Sequence, residues 1–343
     1  MGIGVALAQA ERARRSTKAK RARERRFAQL PGEQLGEGLQ RMALGQLDLA
    51  IELLTDERQG ERHRHGHRNT PDERAIHETR KALKRLRALL RLLREELGER
   101  RFAREDALLR DAGRSLAGAR DAEVVVNTLD ALLDRSPAKL ASRRAVTELR
   151  KLLVAEREAA ARRTLGDGAA RAEVRRELIG LREQAHRWSL PERPGIAVVE
   201  SDLQRVYREG RRRHRRAGRS VIGDRGKGGA RALHEWRKRV KDLRYAAEIL
   251  NLRPLAHRAD TLGELLGEEH DLALLAALLP PPGRGPFKGK RGKQSRKALL
   301  KQIARRRRRL RKRALREGER LYRRRPKRFT QRARRAHARV SRG

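Results

Sequence analysis

The sequence has no cysteine. That excludes disulfides, thiolate nucleophiles and cysteine-bound metals together, and it leaves the redox compartment open, since such a chain tolerates either. Aromatic residues make up 3% of the chain, with two tryptophans, three tyrosines and four phenylalanines. So few rings leave little for single-stranded bases to stack on, and no zinc-finger or RRM-type motif compensates. No apolar run approaches the roughly 18–20 residues of a membrane span. The opening MGIGVALAQAERARR lacks a basic stretch ahead of its short apolar run, so a signal peptide is not expected. Ala6 stands where myristoylation favours Ser or Thr, and the expected setting is the cytoplasm. Period-two alternation is also nearly absent, which makes the fold class all-α.

What the chain has in excess is positive charge. Its 343 residues carry 89 Lys and Arg against 44 Asp and Glu, a formal net charge of +45. Hydrophobic residues make up 37%, carried by Leu and Ala at helical spacing, enough for a folded core. Solubility alone does not call for such an imbalance. It points to a polyanionic partner: nucleic acid, a polyphosphate chain or an anionic surface.

The charge is organised by an internal repeat. IHETRKALKRLRALLRLL, from Ile76 to Leu93, returns without a gap as LHEWRKRVKDLRYAAEIL, from Leu233 to Leu250. On a helix, Ile76, Leu83, Leu86, Leu90 and Leu93 share one side, as do Leu233, Val240, Leu243, Ala247 and Leu250. His77, Arg80, Lys84, Arg87 and Arg91 form a separate cationic stripe, with Lys81 at its edge. His234, Arg237, Lys238, Lys241 and Arg244 repeat it. Like charges in such a row repel one another and need solvent or a ligand. A single stripe of this kind is ordinarily a solvated surface; two in tandem favour a ligand.

Helical spacing also predicts elements over 34–54, 103–116, 122–133, 138–165, 169–188, 196–217, 255–279 and 295–324. Residues 1–31 read as a basic arm, frayed or disordered. Residues 32–335 read as one helical domain of two halves, 32–190 and 191–335, with a flexible loop over 280–294. Residues 336–343 read as a basic tail. The expected architecture is two related halves of about four helices each, joined near Pro191 as paired antiparallel bundles.

The two helices and the segments after them resemble the CHAD domain, the conserved-histidine α-helical domain. The motif His-x-x-Arg-x-x-x-(Lys/Arg)-x-Leu-Arg appears as His77, Arg80, Lys84, Leu86, Arg87 and as His234, Arg237, Lys241, Leu243, Arg244. Gly118 to Asp121 and Gly267 to Asp271 match the later part of each half, with His270 where Arg120 stands. LYRRRPKRF, residues 321–329, resembles the closing stretch, so the similarity runs from about Gly32 to Arg335. The resemblance implies two pseudo-symmetric four-helix halves that bind inorganic polyphosphate, with both signature helices lining a basic groove or pore between them, and association of some members with polyphosphate granules. The candidate binding residues are thus His77, Arg80, Lys81, Lys84, Arg87, Arg91, His234, Arg237, Lys238, Lys241 and Arg244. The family is often linked to triphosphate tunnel enzymes, whose Glu-x-Glu-x-Lys strand motif this chain lacks. No catalysis and no cofactor are expected.

A polyphosphate has repeating charge and no bases, so cations and donors at regular intervals suffice to read it. Arg supplies bidentate forks and Lys point charges. Protonation of His77 and His234 near a polyanion predicts tighter binding at lower pH. The competing reading is a nucleic-acid or nucleoid-associated general polyanion binder, driven by the same charge. A phosphoanhydride enzyme is a third, against which stands the want of a carboxylate cluster for Mg²⁺. His63, His65 and His67 alternate in a glycine-containing loop without further ligands, and no metal site is expected. GDRGKGG, 223–229, has Gly229 where a phosphate-binding loop needs Lys, and reads as a flexible connector. Asp121 and Asp271 read as structural carboxylates, and Tyr245 as a packing residue or a hydroxyl donor. Arg305 to Arg309 wrap most of a helical turn, and extension of a phosphate track is the favoured reading.

Overall fold

The structure, a computed structural model, describes residues 20–55, 71–135, 143–166, 168–223 and 227–340, and within them every regular element is helical. In chain order these are α1 (Leu35–Thr55), α2 (Pro71–Leu92), α3 (Arg94–Leu97), α4 (Glu99–Ser115), α5 (Gly118–Asp134), α6 (Arg143–Gly166) and α7 (Gly168–His186). Then follow α8 (Glu200–Gly223), α9 (Lys227–Ile249), α10 (Arg253–Leu278), α11 (Gly289–Leu321) and α12 (Pro326–Val340). Short 3₁₀ turns at Ala197–Val199 and Gly285–Phe287 precede α8 and α11. None of these helices is long and apolar enough to cross a membrane. His63, His65 and His67 lie outside the described residues, and no cluster of metal-ligating side chains occurs among the described ones.

The signature helices are α2 and α9. Ile76, Leu83, Leu86, Leu90 and Leu93 are all buried, and so are Leu233, Val240, Leu243, Ala247 and Leu250. A 3.6-residue period places these positions on one side, and burial of each Leu, Ile or Val among them stabilises by roughly 1.5–3 kcal/mol. Helix α2 packs on α1 and α4, and α9 lies between α8 and α10. The two signature helices also touch each other, and α5 packs on α10. One continuous apolar cluster runs from Phe27 to Ala333 through both sets of helices.

Several boundaries differ from the sequence expectation. The arm over 1–31 is packed at its inner end: residues 20–24 are helical, and Phe27 and Leu30 are buried. Arg41 holds it in place, donating to the carbonyls of Arg26 and Ala28, each at 2.9 Å, and to Glu33. The Gln29 backbone N–H donates to the Ile249 carbonyl at 3.0 Å, and Asn251 Nδ2 returns a bond to the Gln29 carbonyl at 2.8 Å. A charge count conceals such tethers, because they run from backbone to a distant side chain.

The loop over 280–294 is shorter than expected, since α11 begins at Gly289. Phe287 is buried, and a Cβ on Gly292 would meet the Phe287 backbone at 2.6 Å, so glycine here permits close packing rather than flexibility. Arg296 Nε closes the turn on the Pro280 carbonyl at 2.7 Å. The basic tail over 336–343 belongs to α12 as far as Val340. Phe329, Thr330, Ala333 and His337 form its buried side, and His337 Nε2 lies 2.7 Å from Gln29 Oε1. Similarly, Lys227 to Gly229 of the expected connector open α9.

The second set of helices is keyed by aromatic packing. Tyr207 stacks on Phe329 at 3.8 Å, and the His214 and Trp236 rings lie 4.9 Å apart. Gly318 of α11 lies against that pair: a Cβ there would come within 2.6 Å of His214 Cδ2 and 2.7 Å of Trp236 Cη2. Helix propensity favours Gly318→Ala by about 1 kcal/mol. The buried rings oppose it, and overpacking costs about 1–3 kcal/mol. Gly318→Ala is therefore expected to lower the urea midpoint of unfolding; a raised midpoint would show that the rings move aside freely.

Candidate functional site

Helices α2 and α9 are in contact, and Lys84 of one acts on the charge of Lys241 of the other, but the eleven candidate residues do not share one environment. On α2, Lys84 is exposed. Arg80 Nη1 donates to the Ala117 carbonyl at 2.9 Å, at the turn before α5. His77 Nε2 lies 3.9 Å from Glu78 Oε1, and Lys81 Nζ lies 3.1 Å from Glu78 Oε2. Further along, Arg87 grips Asp106 with both Nε and Nη2, at 3.0 and 2.9 Å. Arg91 Nη2 reaches the same carboxylate at 2.9 Å, and Arg91 Nη1 lies 3.5 Å from Asp242 of α9.

Arg87 and Arg91 therefore continue the stripe in sequence but leave it in space. They enter an ion-pair chain that runs from Asp106 through Arg91 to Asp242, then to Arg239 at 3.2 Å and Glu209 of α8 at 3.4 Å. Burial alone would raise the Asp106 carboxyl. The Arg87 hydrogen bond and the Arg91 and Arg87 charges outweigh it and hold the group below the ordinary carboxylate range.

On α9, the His234 and His270 rings lie 4.6 Å apart, and Lys238 Nζ pairs with Glu235 at 2.8 Å. Arg237 lies over Gly267 of α10, where a Cβ would come within 3.5 Å of its Nη2. Arg244 is held by Glu248 at 2.8 Å and by Asp260 of α10 at 2.6 Å. Lys241 stands among these groups. Burial, with Arg237 and Lys84 next in effect, pushes its ammonium down to about 7, against the opposing pull of Asp271. Burial and the Lys238, Arg237 and Lys241 charges likewise pull the His234 imidazolium below its ordinary value, with Glu235 opposing. Lys84 and Lys241, equivalent positions of the repeat, thus act on each other electrostatically across the contact between α2 and α9.

Beside this contact, α5, α9 and α10 enclose a cleft of about 570 Å³. Arg135, Arg237, Lys241 and Arg244 supply its positive charge, and Asp260, Glu264, Glu268 and Asp271 its negative charge. The acids recur along α10 at spacings of four, four and three, one helix side. That periodicity was present in the sequence, yet its opposition to the α9 stripe depends on tertiary packing. The side chains of Arg120 and Asp121 lie outside the described ones.

The arginine run of α11 is divided. Arg306 forks Glu268 at 2.7 and 2.8 Å, and Arg307 and Arg311 reach Glu269 at 2.9 and 2.8 Å. These arginines offset the acids of α10. Arg305, Arg308 and Arg309 are exposed. Tyr245 is buried edge-on to Phe27, with ring centroids 6.1 Å apart, which makes it a packing residue.

Comparison with known families and proteins gives one match. The family model described as the CHAD domain covers residues 55–280, well over half of the chain and both signature helices. No curated protein matches the sequence.

Proposed function

Because the chain belongs to the CHAD domain family, we propose that it is a non-catalytic binder of inorganic polyphosphate that uses the facing sides of α2 and α9. The observation that carries the reading is the pairing of Lys84 and Lys241, two equivalent lysines whose like charges meet where Arg237 and Arg244 also gather. A cluster that depresses its own lysine is one that gains from an anion. The two halves of the repeat support the reading too: Arg80 bonds beside Gly118 and Arg237 lies over Gly267, so each signature arginine is positioned by its own glycine turn or helix. In this reading the groove between pseudo-symmetric halves is formed by His77, Arg80, Lys84, His234, Arg237, Lys241 and Arg244. Lys81 and Lys238 stand at its rim, while Arg91 reaches Asp242 across the two halves and Arg87 shares Asp106 with it. The proposal extends to a cytoplasmic location, where polyphosphate granules would hold the protein.

The acids of the cleft set the conditions. Asp260 occupies Arg244, so a polyanion must displace a carboxylate there as it enters. Lys241 is about half charged near pH 7 in the free protein and would be fully charged beside bound phosphate. Binding then takes up a proton. If the bound ammonium recovers the ordinary lysine value, affinity for long-chain polyphosphate rises about tenfold from pH 8 to pH 6. Proton uptake on binding is readable by titration calorimetry in two buffers of different ionisation enthalpy. A flat profile with no proton uptake would remove Lys241 from the site.

The exposed Arg305, Arg308 and Arg309 favour a second reading, general attachment to polyanions including nucleic acid, since no shaped site is needed for such a surface.

A further inference from the structure

A different arginine surface lies on α8, whose sequence from Gly210 to Arg219 reads GRRRHRRAGR. One side of this helix is buried through Leu203, Val206, Tyr207 and Ala217. On another, Arg208, Arg212, Arg215 and Arg219 recur at spacings of four, three and four. They form a row about 16 Å long at 1.5 Å rise per residue. Together with Arg211 they line a cleft of about 250 Å³ closed by Pro326, the first residue of α12.

Among the described residues, no carboxylate lines this cleft. Arg211 Nε donates to the Tyr322 carbonyl at 3.1 Å, which fixes one guanidinium at its wall. Arg208, Arg212, Arg215 and Arg219 are exposed and form no ion pair among the described residues. The contrast with α2 and α9 is sharp, because there Arg87, Arg91, Lys238 and Arg244 are each answered by a carboxylate. Like charges three and four residues apart weaken a helix by a few tenths of a kcal/mol each. On α8 that repulsion is left standing, and the N-terminal end of α12 adds partial positive charge at the same place.

We propose that this cleft is a second phosphoanion site that takes a short run of phosphoryl groups. Its occupant is either a free anion of tripolyphosphate size or the end segment of a longer polyphosphate. Guanidinium forks at regular intervals can grip successive phosphoryl oxygens in pairs. The set shares no residue with the α2–α9 groove, so the inference stands apart from the function proposed above.

Calorimetric titration of the full chain with tripolyphosphate at about 0.15 M salt tests it. The triple variant Arg212→Ser, Arg215→Ser, Arg219→Ser is expected to lose about tenfold in tripolyphosphate affinity. A matched control removes three exposed cations of α11, Lys293→Ser, Lys297→Ser, Lys301→Ser, and is expected to lose less than about threefold. The tripolyphosphate step should also persist in a Lys84→Glu, Lys241→Glu background, which separates failure of the groove from failure of the cleft. A long-chain titration distinguishes the occupants. If the cleft variant also weakens long-chain binding, a chain end threads the cleft; if long-chain binding is unchanged, the cleft takes the free anion. No loss of tripolyphosphate binding in the cleft variant, or equal loss in the α11 control, would overturn the proposal.

Discussion

Replacing Lys84 and Lys241 together by glutamate is expected to lower affinity for long-chain polyphosphate by about 100-fold, roughly 2.8 kcal/mol at 1.4 kcal/mol per decade. Lys84 is exposed, and Lys241 stands at the contact of α2 with α9 amid Arg237 and Arg244. Reversal there removes two phosphate contacts and adds two repulsions, whereas reversal elsewhere on so basic a surface changes only the distant field. The double variant is the informative one, because a single glutamate would pair with the remaining lysine. A neutral change sharpens the argument. Lys241→Met removes a charge that burial, Arg237 and Lys84 all disfavour, so it should raise Tm by about 1–3 °C while weakening binding. A purely structural lysine would lose stability on the same change. Unaltered affinity in a folded double variant would remove the two lysines from the site.

The second large effect concerns stability. Asp106→Ala is expected to cost about 3 kcal/mol, because it leaves Arg87 and Arg91 side by side without their common carboxylate. Arg91 then retains one carboxylate, Asp242 at 3.5 Å, beside its bond to the Arg87 carbonyl. Chemical denaturation at neutral pH checks the size of the loss. The pH dependence checks its origin. Since the folded Asp106 lies below its unfolded value of about 3.9, its contribution is complete above that pH and is lost as pH falls through the folded value. Wild type and Asp106→Ala should therefore converge in stability in strong acid. A gap that persists there would mean that lost packing, rather than lost charge, causes the effect.

Both effects turn on residues that look alike in the sequence. Lys84, Arg87 and Arg91 follow one another on a single cationic stripe, and helical spacing assigns them one role. Tertiary packing separates them, because Asp106 lies on α4 and Asp242 on α9. The apolar side of each signature helix was legible because a 3.6-residue period is local information. The acids of α10 were equally periodic, yet nothing local shows that they face Arg237, Lys241 and Arg244. Gly292 and Gly318 pose the same difficulty in another form. Gly292 reads as part of a flexible loop and Gly318 as an ordinary helix position until Phe287 or the His214–Trp236 pair is placed against it. Residues 1–31 read as a frayed or disordered basic arm and 336–343 as a basic tail, while a few residues, Phe27, Gln29 and His337, anchor these ends.

Binding of polyphosphate through a shaped site, rather than through net charge, is the central claim. Labelled long-chain polyphosphate bound to the full chain at near-physiological salt would be displaced by unlabelled polyphosphate, duplex DNA or single-stranded RNA, matched for total phosphate. The account predicts that polyphosphate competes at least about tenfold more effectively than either nucleic acid. Equal competition by all three would contradict it and leave a charge of +45 as the whole explanation of binding.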